Sequence, residues 1–187
     1  MLEPLLQHCV YEDERVEYLH AKMTEPPFEP GTFTHVLIEC RCIAHPDLGA
    51  VFAAAKQMLA SGGQLIVNEP VLSSASSLPK IIGRMVGETR INEVLQQRTA
   101  MEIGIEIATA GFDMIESRSE PEVTERLHQK MQQISMMLKM ALRFSSFDPY
   151  SEEFPFKKKD LLKAFDEVKT ALGDETFAWH SWRATPN

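Results

Sequence analysis

The chain has 187 residues, enough for one domain with a single sizeable core and too few for two full ones. Hydrophobic residues make up 44% and charged residues 25%, a balance that excludes wholesale disorder. The formal net charge of −8 argues against a nucleic-acid backbone as the main partner, because phosphate binding rests on clustered Lys and Arg that release counterions.

The start, "MLEPLLQHCVYEDE", lacks a basic region and a cleavable apolar stretch, and no apolar run reaches the roughly 18 residues of a membrane span. Cys9, Cys40 and Cys42 form no regular disulfide framework, which fits a reducing compartment. A soluble, cytoplasmic protein is the expectation.

In chain order, "VEYLHA" (16–21) alternates weakly and predicts a short strand, followed by a loop in which three prolines and a glycine forbid regular structure. "THVLIEC" (34–40) is aliphatic and β-branched, the composition of a strand buried on both faces. Pro46 and Asp47 then start a helix, with Leu48, Val51, Phe52, Ala55, Met58 and Leu59 at helical spacing, and Ser61-Gly62-Gly63 ends it. "QLIVNE" (64–69) is a second buried strand, so residues 34–69 form a β-α-β unit with a crossover long enough for a parallel pair.

Residues 71–90 read as a polar, flexible loop containing Gly83 and Gly87. From Asn92, the spacing of Val94, Leu95, Met101, Ile105 and Ala108 predicts an amphipathic helix closed by Gly111, followed by the strand "FDMIESRSE". Residues 121–144 predict a long helix with Val123, Leu127, Met131, Ile134, Leu138 and Ala141 on its buried stripe. A helix near 157–172, opened by the solvated run Lys157-Lys158-Lys159, and a final aromatic strand, "ETFAWHSWRA", complete the chain. Residues 121–172 are thus a helical insertion before the last strand of a single domain, 1–187. No internal repeat is evident.

The run "FEPGTFTHVLIECRCIAHPDLGAVFAAAKQMLASGGQLIVNEP" resembles class I S-adenosylmethionine-dependent methyltransferases, from the loop after their third strand through the fourth strand to the fifth. The features that carry it are Phe28, Pro30 and Gly31, the strand Phe33 to Glu39, the helix start His45 to Asp47, and a Leu and double-Gly turn into a strand ending Glu69-Pro70. "AGF", Ala110 to Phe112, continues it toward two antiparallel final strands. The resemblance implies a three-layer, Rossmann-like α/β fold with a reduced, mostly parallel sheet and extra C-terminal helices.

The family's Gly-rich cofactor loop and its ribose-gripping acid would lie upstream of "VEYLHAKM", where fifteen residues stand without a glycine. After the third strand, His20, Ala21, Lys22 and Met23 stand where an acidic residue is common. The resemblance therefore implies a methyltransferase-like protein, with S-adenosylmethionine as its possible cofactor, whose donor-binding half is missing. Three explanations stay open: a pseudo-enzyme or regulatory subunit, a sheet completed by a partner chain or by its own copy, or a piece of a longer enzyme. A non-catalytic binding module, as in the methyltransferase-like domain of anamorsin-type iron–sulfur assembly proteins, is the alternative function.

Candidate catalytic residues are Glu39, His45 and Glu69. Glu39 and Glu69 end neighbouring strands, and two carboxylates at one edge can raise one pKa and make a general base. Lys22, Met23 and Glu39 are the candidates for contact with a cofactor. Asn68, together with Met136, Met137 and Met140 on the outer face of the long helix, is a candidate for substrate or partner contact, since methionine adapts to irregular apolar surfaces. Cys40, Cys42 and His45 form C-x-C-x-x-H, but no second cluster completes four-coordination, and no metal is expected. Trp179, His180, Trp182 and Arg183 either line a pocket or belong to a half-covered strand. Ser73, Ser74, Ser76 and Ser77 lack the strained turn of a nucleophile. An unpaired sheet edge invites a second copy or another protein, so an oligomer is expected.

Overall fold

A computed structural model describes residues 17, 19–40, 42, 45–73, 98–144, 150–151, 154–155, 158–174 and 176–187. Strand β1, Phe33–Glu39, leads through helix α1, Leu48–Met58, to strand β2, Leu59–Leu72. Helix α2, Ala100–Thr109, strand β3, Phe112–Ser119, and helix α3, Pro121–Phe144, follow. Two short strands, β4 at Tyr150–Ser151 and β5 at Phe154–Pro155, form their own ladder before helix α4, Lys158–Gly173, and strand β6, Phe177–Pro186. The main sheet has the order β1-β2-β6-β3. β1 and β2 pair in parallel, and β6 runs antiparallel to both β2 and β3. Three of the four strands therefore run the same way, and the last strand is wedged among them.

Alternation along β2 explains the layering. Leu65, Val67, Glu69 and Val71 are buried on one face, where Leu48, Val51, Phe52 and Ala55 of α1 and Ile103 and Ile107 of α2 complete the core with Trp182 and Ala184 of β6. Each such large apolar side chain contributes about 1.5–3 kcal/mol of burial. Ile66, Asn68 and Pro70 point to the opposite face and are half-buried. α3 and α4 pack together and against β6.

α1 begins as its sequence predicts, with the Asp47 carboxylate accepting the Ala50 N–H at 2.9 Å. Its end differs. The helix stops at Met58 and passes directly into β2, and the turn expected at Ser61-Gly62-Gly63 is a kink within the strand, with Gly62 at φ +75°. β2 also continues through Pro70. Asn68 accepts the Cys40 N–H on the β1 side, so the Pro70 nitrogen, two residues on, faces the same side past the end of β1, and its missing N–H costs no ladder bond.

Two further expectations are corrected. Residues 17 and 19–21 form no strand; the chain there leads into a turn closed by the Lys22–Glu25 bridge and by Glu25 N–H donating to the Lys22 carbonyl. α2 starts at Ala100, later than Asn92, because Thr99 and Glu102 form a reciprocal capping box. Its core face is Ile103 and Ile107, whereas Met101 and Ile105 of the expected stripe are 75% and 58% exposed and Ala108 also faces solvent. Both sets share helical spacing, so periodicity alone could not choose between them.

In α3 the expected stripe is only half-buried at Val123, Leu127, Met131 and Leu138, Ile134 is exposed, and the buried residues are the polar Thr124 and Ser135. Hydrogen bonds account for that: Thr124 Oγ1 donates to the Glu120 carbonyl and accepts the Trp179 N–H, and Ser135 donates to Asp166 of α4. Ala141, the loop serines Ser74, Ser76 and Ser77, Gly83, Gly87, Asn92 to Leu95, Lys157 and the first fifteen residues lie outside the described residues or side chains.

Candidate functional site

The carboxyl ends of β1 and β2 meet at one rim, the edge at which open α/β sheets place ligands. In register Glu39 stands beside Asn68, so Glu69 points to the opposite face from both. The Asn68 amide donates to the Glu39 carboxylate at 3.2 Å, and Glu39 is exposed. Glu69, by contrast, is fully buried and accepts the Cys42 N–H at 2.9 Å. The two carboxylates share the rim without sharing a face, because a one-residue step along a strand flips the side chain. Glu39 stands at the surface; Glu69 holds the loop after β1 from beneath.

That loop is gripped from the other side by Arg98, whose guanidinium donates to the carbonyls of Cys42, His45 at 2.9 Å and Pro46 at 3.3 Å. The Arg98 carbonyl accepts the Leu72 N–H, anchoring the clamp to the end of β2. Cys40 turns the chain into the loop with φ +53°, a left-handed value uncommon away from glycine. His45 is half-buried, and its ring Nδ1 accepts the Asp47 N–H at 3.2 Å.

Cys40 is exposed, whereas Cys42 is buried, so the two thiols face different surroundings. Burial, and after it the Glu69 carboxylate, push the Cys42 thiol well above its ordinary value. Cys40 is raised too, by partial burial and then by Glu69 and Glu39. No group of three or more His, Cys, Asp or Glu side chains among the described residues converges to hold a metal.

Lys22 is exposed and pairs with Glu25 at 3.1 Å, while Met23 packs against the core. Met136, Met137 and Met140 are all exposed on α3, away from the rim strands. The sheet face opposite α1 and α2 carries a cavity of about 390 Å³ lined by Ile66, Asn68, Trp179, Ser181 and Arg183, with Val123 of α3 as one wall. Trp182 also borders it, while the His180 ring lies tilted at 43° against the Trp182 ring, centroids 4.5 Å apart, and bonds to Ser117 at 2.9 Å. Charged side chains close its far side: Arg118 bonds both Glu120 at 2.7 Å and Glu116 at 3.1 Å, and Ser181 donates to Glu120. The Ser181 hydroxyl first, then Arg118, hold the Glu120 carboxyl below the usual range. Sequence reasoning passed over Arg98 and this cluster, since an isolated arginine and a polar strand carry no local signal.

No family model and no curated protein matches the chain. Solved structures do. A phosphoethanolamine N-methyltransferase 2 of Haemonchus contortus, solved with S-adenosylmethionine, superposes with a TM-score of 0.68 at 16% identity over 99% of this chain and 40% of that one. A sarcosine dimethylglycine methyltransferase from Galdieria sulphuraria gives 0.63 at 14% identity over 88% and 57%. The [4+2]-cyclase SpnF gives 0.65 at 17% identity over 98% and 59%. The chain thus spans between 40% and 59% of these structures' own length. It carries the α/β fold of the S-adenosylmethionine-dependent methyltransferases.

Proposed function

We propose that the chain is an S-adenosylmethionine-dependent methyltransferase-like protein, inactive alone or a subunit completed by a partner chain, in a reducing, cytoplasmic setting. The observation that supports this reading is the fold: solved structures, among them two methyltransferases, superpose over 88% to 99% of this chain with TM-scores of 0.63 to 0.68. The rim supports it chemically. Glu39 and Asn68 offer an exposed carboxylate and an amide, groups suited to the hydroxyls and amines of a nucleoside or of a methyl acceptor. Those residues fit one side of such a ligand, and β1 has no strand beyond it among the described residues.

S-adenosylmethionine, when bound, supplies an electrophilic methyl group. This chain's part is to position the acceptor and exclude water, with Glu39 placed to take a proton from it. Glu69, Arg98 and His45 act by fixing the loop between β1 and α1 rather than by touching substrate. Lys22 and Met23, on the segment before β1, remain candidates for the donor's far side. Met136, Met137 and Met140 form the apolar surface for a protein partner.

A second reading, a non-catalytic binding module, is favoured by one observation: Glu69 is spent on a backbone contact at the rim. The likeness to a [4+2]-cyclase also associates the fold with another reaction. Calorimetric titration with S-adenosylmethionine and its demethylated product, with the mass in solution recorded on the same sample, separates the two. Saturable binding by an assembled form, and none by the monomer, is the expected result. Absence of binding by every form at millimolar ligand would leave the binding module as the function.

A further inference from the structure

We infer that the cavity on the sheet face opposite α1 and α2 binds a small carboxylic acid that carries an amine or hydroxyl at its other end, the acid on Arg183 and the other group on Asn68. This names the class of methyl acceptor for the proposed function and in that respect rests on it. Along β6, Trp179, Ser181 and Arg183 share this face, and in register they stand beside Pro70, Asn68 and Ile66 of β2. The volume of about 390 Å³ falls within the roughly 300–1,000 Å³ of small-molecule sites. Side-chain chemistry, rather than openness, marks the cavity as a ligand site. A protein segment packed dry on this face would have to bury Glu116, Arg118 and Arg183, whose side chains are 39%, 61% and 46% exposed, and charges leave water only at a heavy cost.

The charges define the two ends. Arg118 serves both acids of the far wall, Glu120 at 2.7 Å and Glu116 at 3.1 Å, and Glu120 also accepts the Ser181 hydroxyl. Arg183 meets Glu116 at 3.5 Å, its one ion pair among the described residues, and Glu116 is already matched by Arg118. One guanidinium thus has donors to spare, which suits a single carboxylate, whereas a doubly charged phosphate would be repelled by Glu116 and Glu120. At the rim end Asn68 donates to Glu39 at 3.2 Å, and its amide oxygen remains an acceptor for an N–H or O–H. Asn68 stands beside Ser181, two residues from Arg183, so the ligand's two ends lie about 7 Å apart along the strands. Ile66 and Val123 face the body between them, which is therefore apolar. On methylation the new bond to the ligand's nitrogen or oxygen forms as the donor's sulfur–carbon bond breaks, the donor leaves with its sulfur uncharged, and the displaced proton passes to Glu39.

The test is titration of the full chain with 4-aminobenzoate, which spans that length, read by calorimetry and by quenching of Trp179 and Trp182, with no methyl donor present. Saturable binding is expected, at least about tenfold tighter than that of 4-aminobenzamide, which lacks the charge, and tighter than that of benzoate, which lacks the amine. Arg183→Gln should weaken 4-aminobenzoate at least about tenfold and leave 4-aminobenzamide unchanged, a selectivity that damage to the fold would not produce. Asn68→Ala should erase the preference for 4-aminobenzoate over benzoate. No saturation at millimolar probe, tighter binding of 4-aminophenyl phosphate, or binding indifferent to Arg183→Gln overturns the assignment, and the parent's order of preference decides the matter even where a variant does not fold. Donor titration on the same samples keeps the two proposals apart. Acid binding without donor binding by any form retires the function and keeps the site, whereas donor binding without acid binding retires the site and keeps the function.

Discussion

Glu69, sealed from solvent at the end of β2, accepts the backbone N–H of Cys42 across 27 residues of sequence. A side chain of one strand thereby sets the path of the loop that leaves its parallel neighbour. A buried hydrogen bond to a carboxylate contributes about 1.5–3 kcal/mol.

Removing that acceptor should therefore cost about 2 kcal/mol, because the Cys42 amide is left unsatisfied. Glu69→Ala is expected to lower the urea midpoint with little change in slope, while Glu69→Gln keeps an acceptor oxygen and loses less. Equal loss in both variants would mean that the amide is not the main customer of this side chain.

Arg98 makes a complementary prediction. Its planar fork serves three carbonyls of the same loop, a geometry that a lysine ammonium cannot reproduce. Arg98→Lys should lose most of the stability lost in Arg98→Ala, about 2 kcal/mol, and hydrogen exchange should speed up from residue 45 to the first turn of α1 in both.

The cysteines differ in access. With the folded chain at neutral pH, a maleimide should label Cys40 while Cys42 reacts only as fast as the loop opens, since burial and Glu69 keep its thiol protonated. Peptide mass mapping separates these sites from Cys9. Labelling of Cys42 at the rate of Cys40 would show that the loop is open in solution.

His180 supplies a pH dependence. Burial holds its imidazole below the ordinary 6.5, with the Glu120 carboxylate opposing in part. The unfolded chain therefore takes up this proton first as pH falls, so stability present above 6.5 declines below it. Comparing thermal unfolding of the parent with His180→Gln between pH 7.5 and about 5 should show a shallower decline in the variant. Parallel curves would dismiss His180 as the source.

What the sequence made legible follows physical range. The Asp47 cap, the places of β1 and β2 in the chain and the order of elements are local or nearly so, and each was readable; the expectation that β1 is buried on both faces is corrected, since Thr34, His35, Leu37 and Glu39 are exposed and only Ile38 is fully buried. The Thr99–Glu102 capping box was equally local, but Asn92 and the apolar spacing that followed it drew the start of α2 eight residues too early. The inward face of α2 was not readable, since Met101 and Ile105 recur with the same period as Ile103 and Ile107. Register hid the rest: that Glu39 stands beside Asn68 and Glu69 lies on the other face depends on how two strands slide past each other. Arg98 reaches its carbonyls across 52 to 56 residues, beyond any local pattern.

The place of β6 has a consequence for assembly. Its ten residues, Phe177–Pro186, lie between β2 and β3, so the two strands flanking it cannot be joined until the last segment of the described chain has emerged and threaded between them. Until then β2 and β3 each present a bare ladder, and α1 and α2 shelter a core lacking Trp182 and Ala184. Such an order of events keeps the sheet open until residues 177–186 have been made, and leaves their long-range pairing with β2 and β3 as the step that closes it.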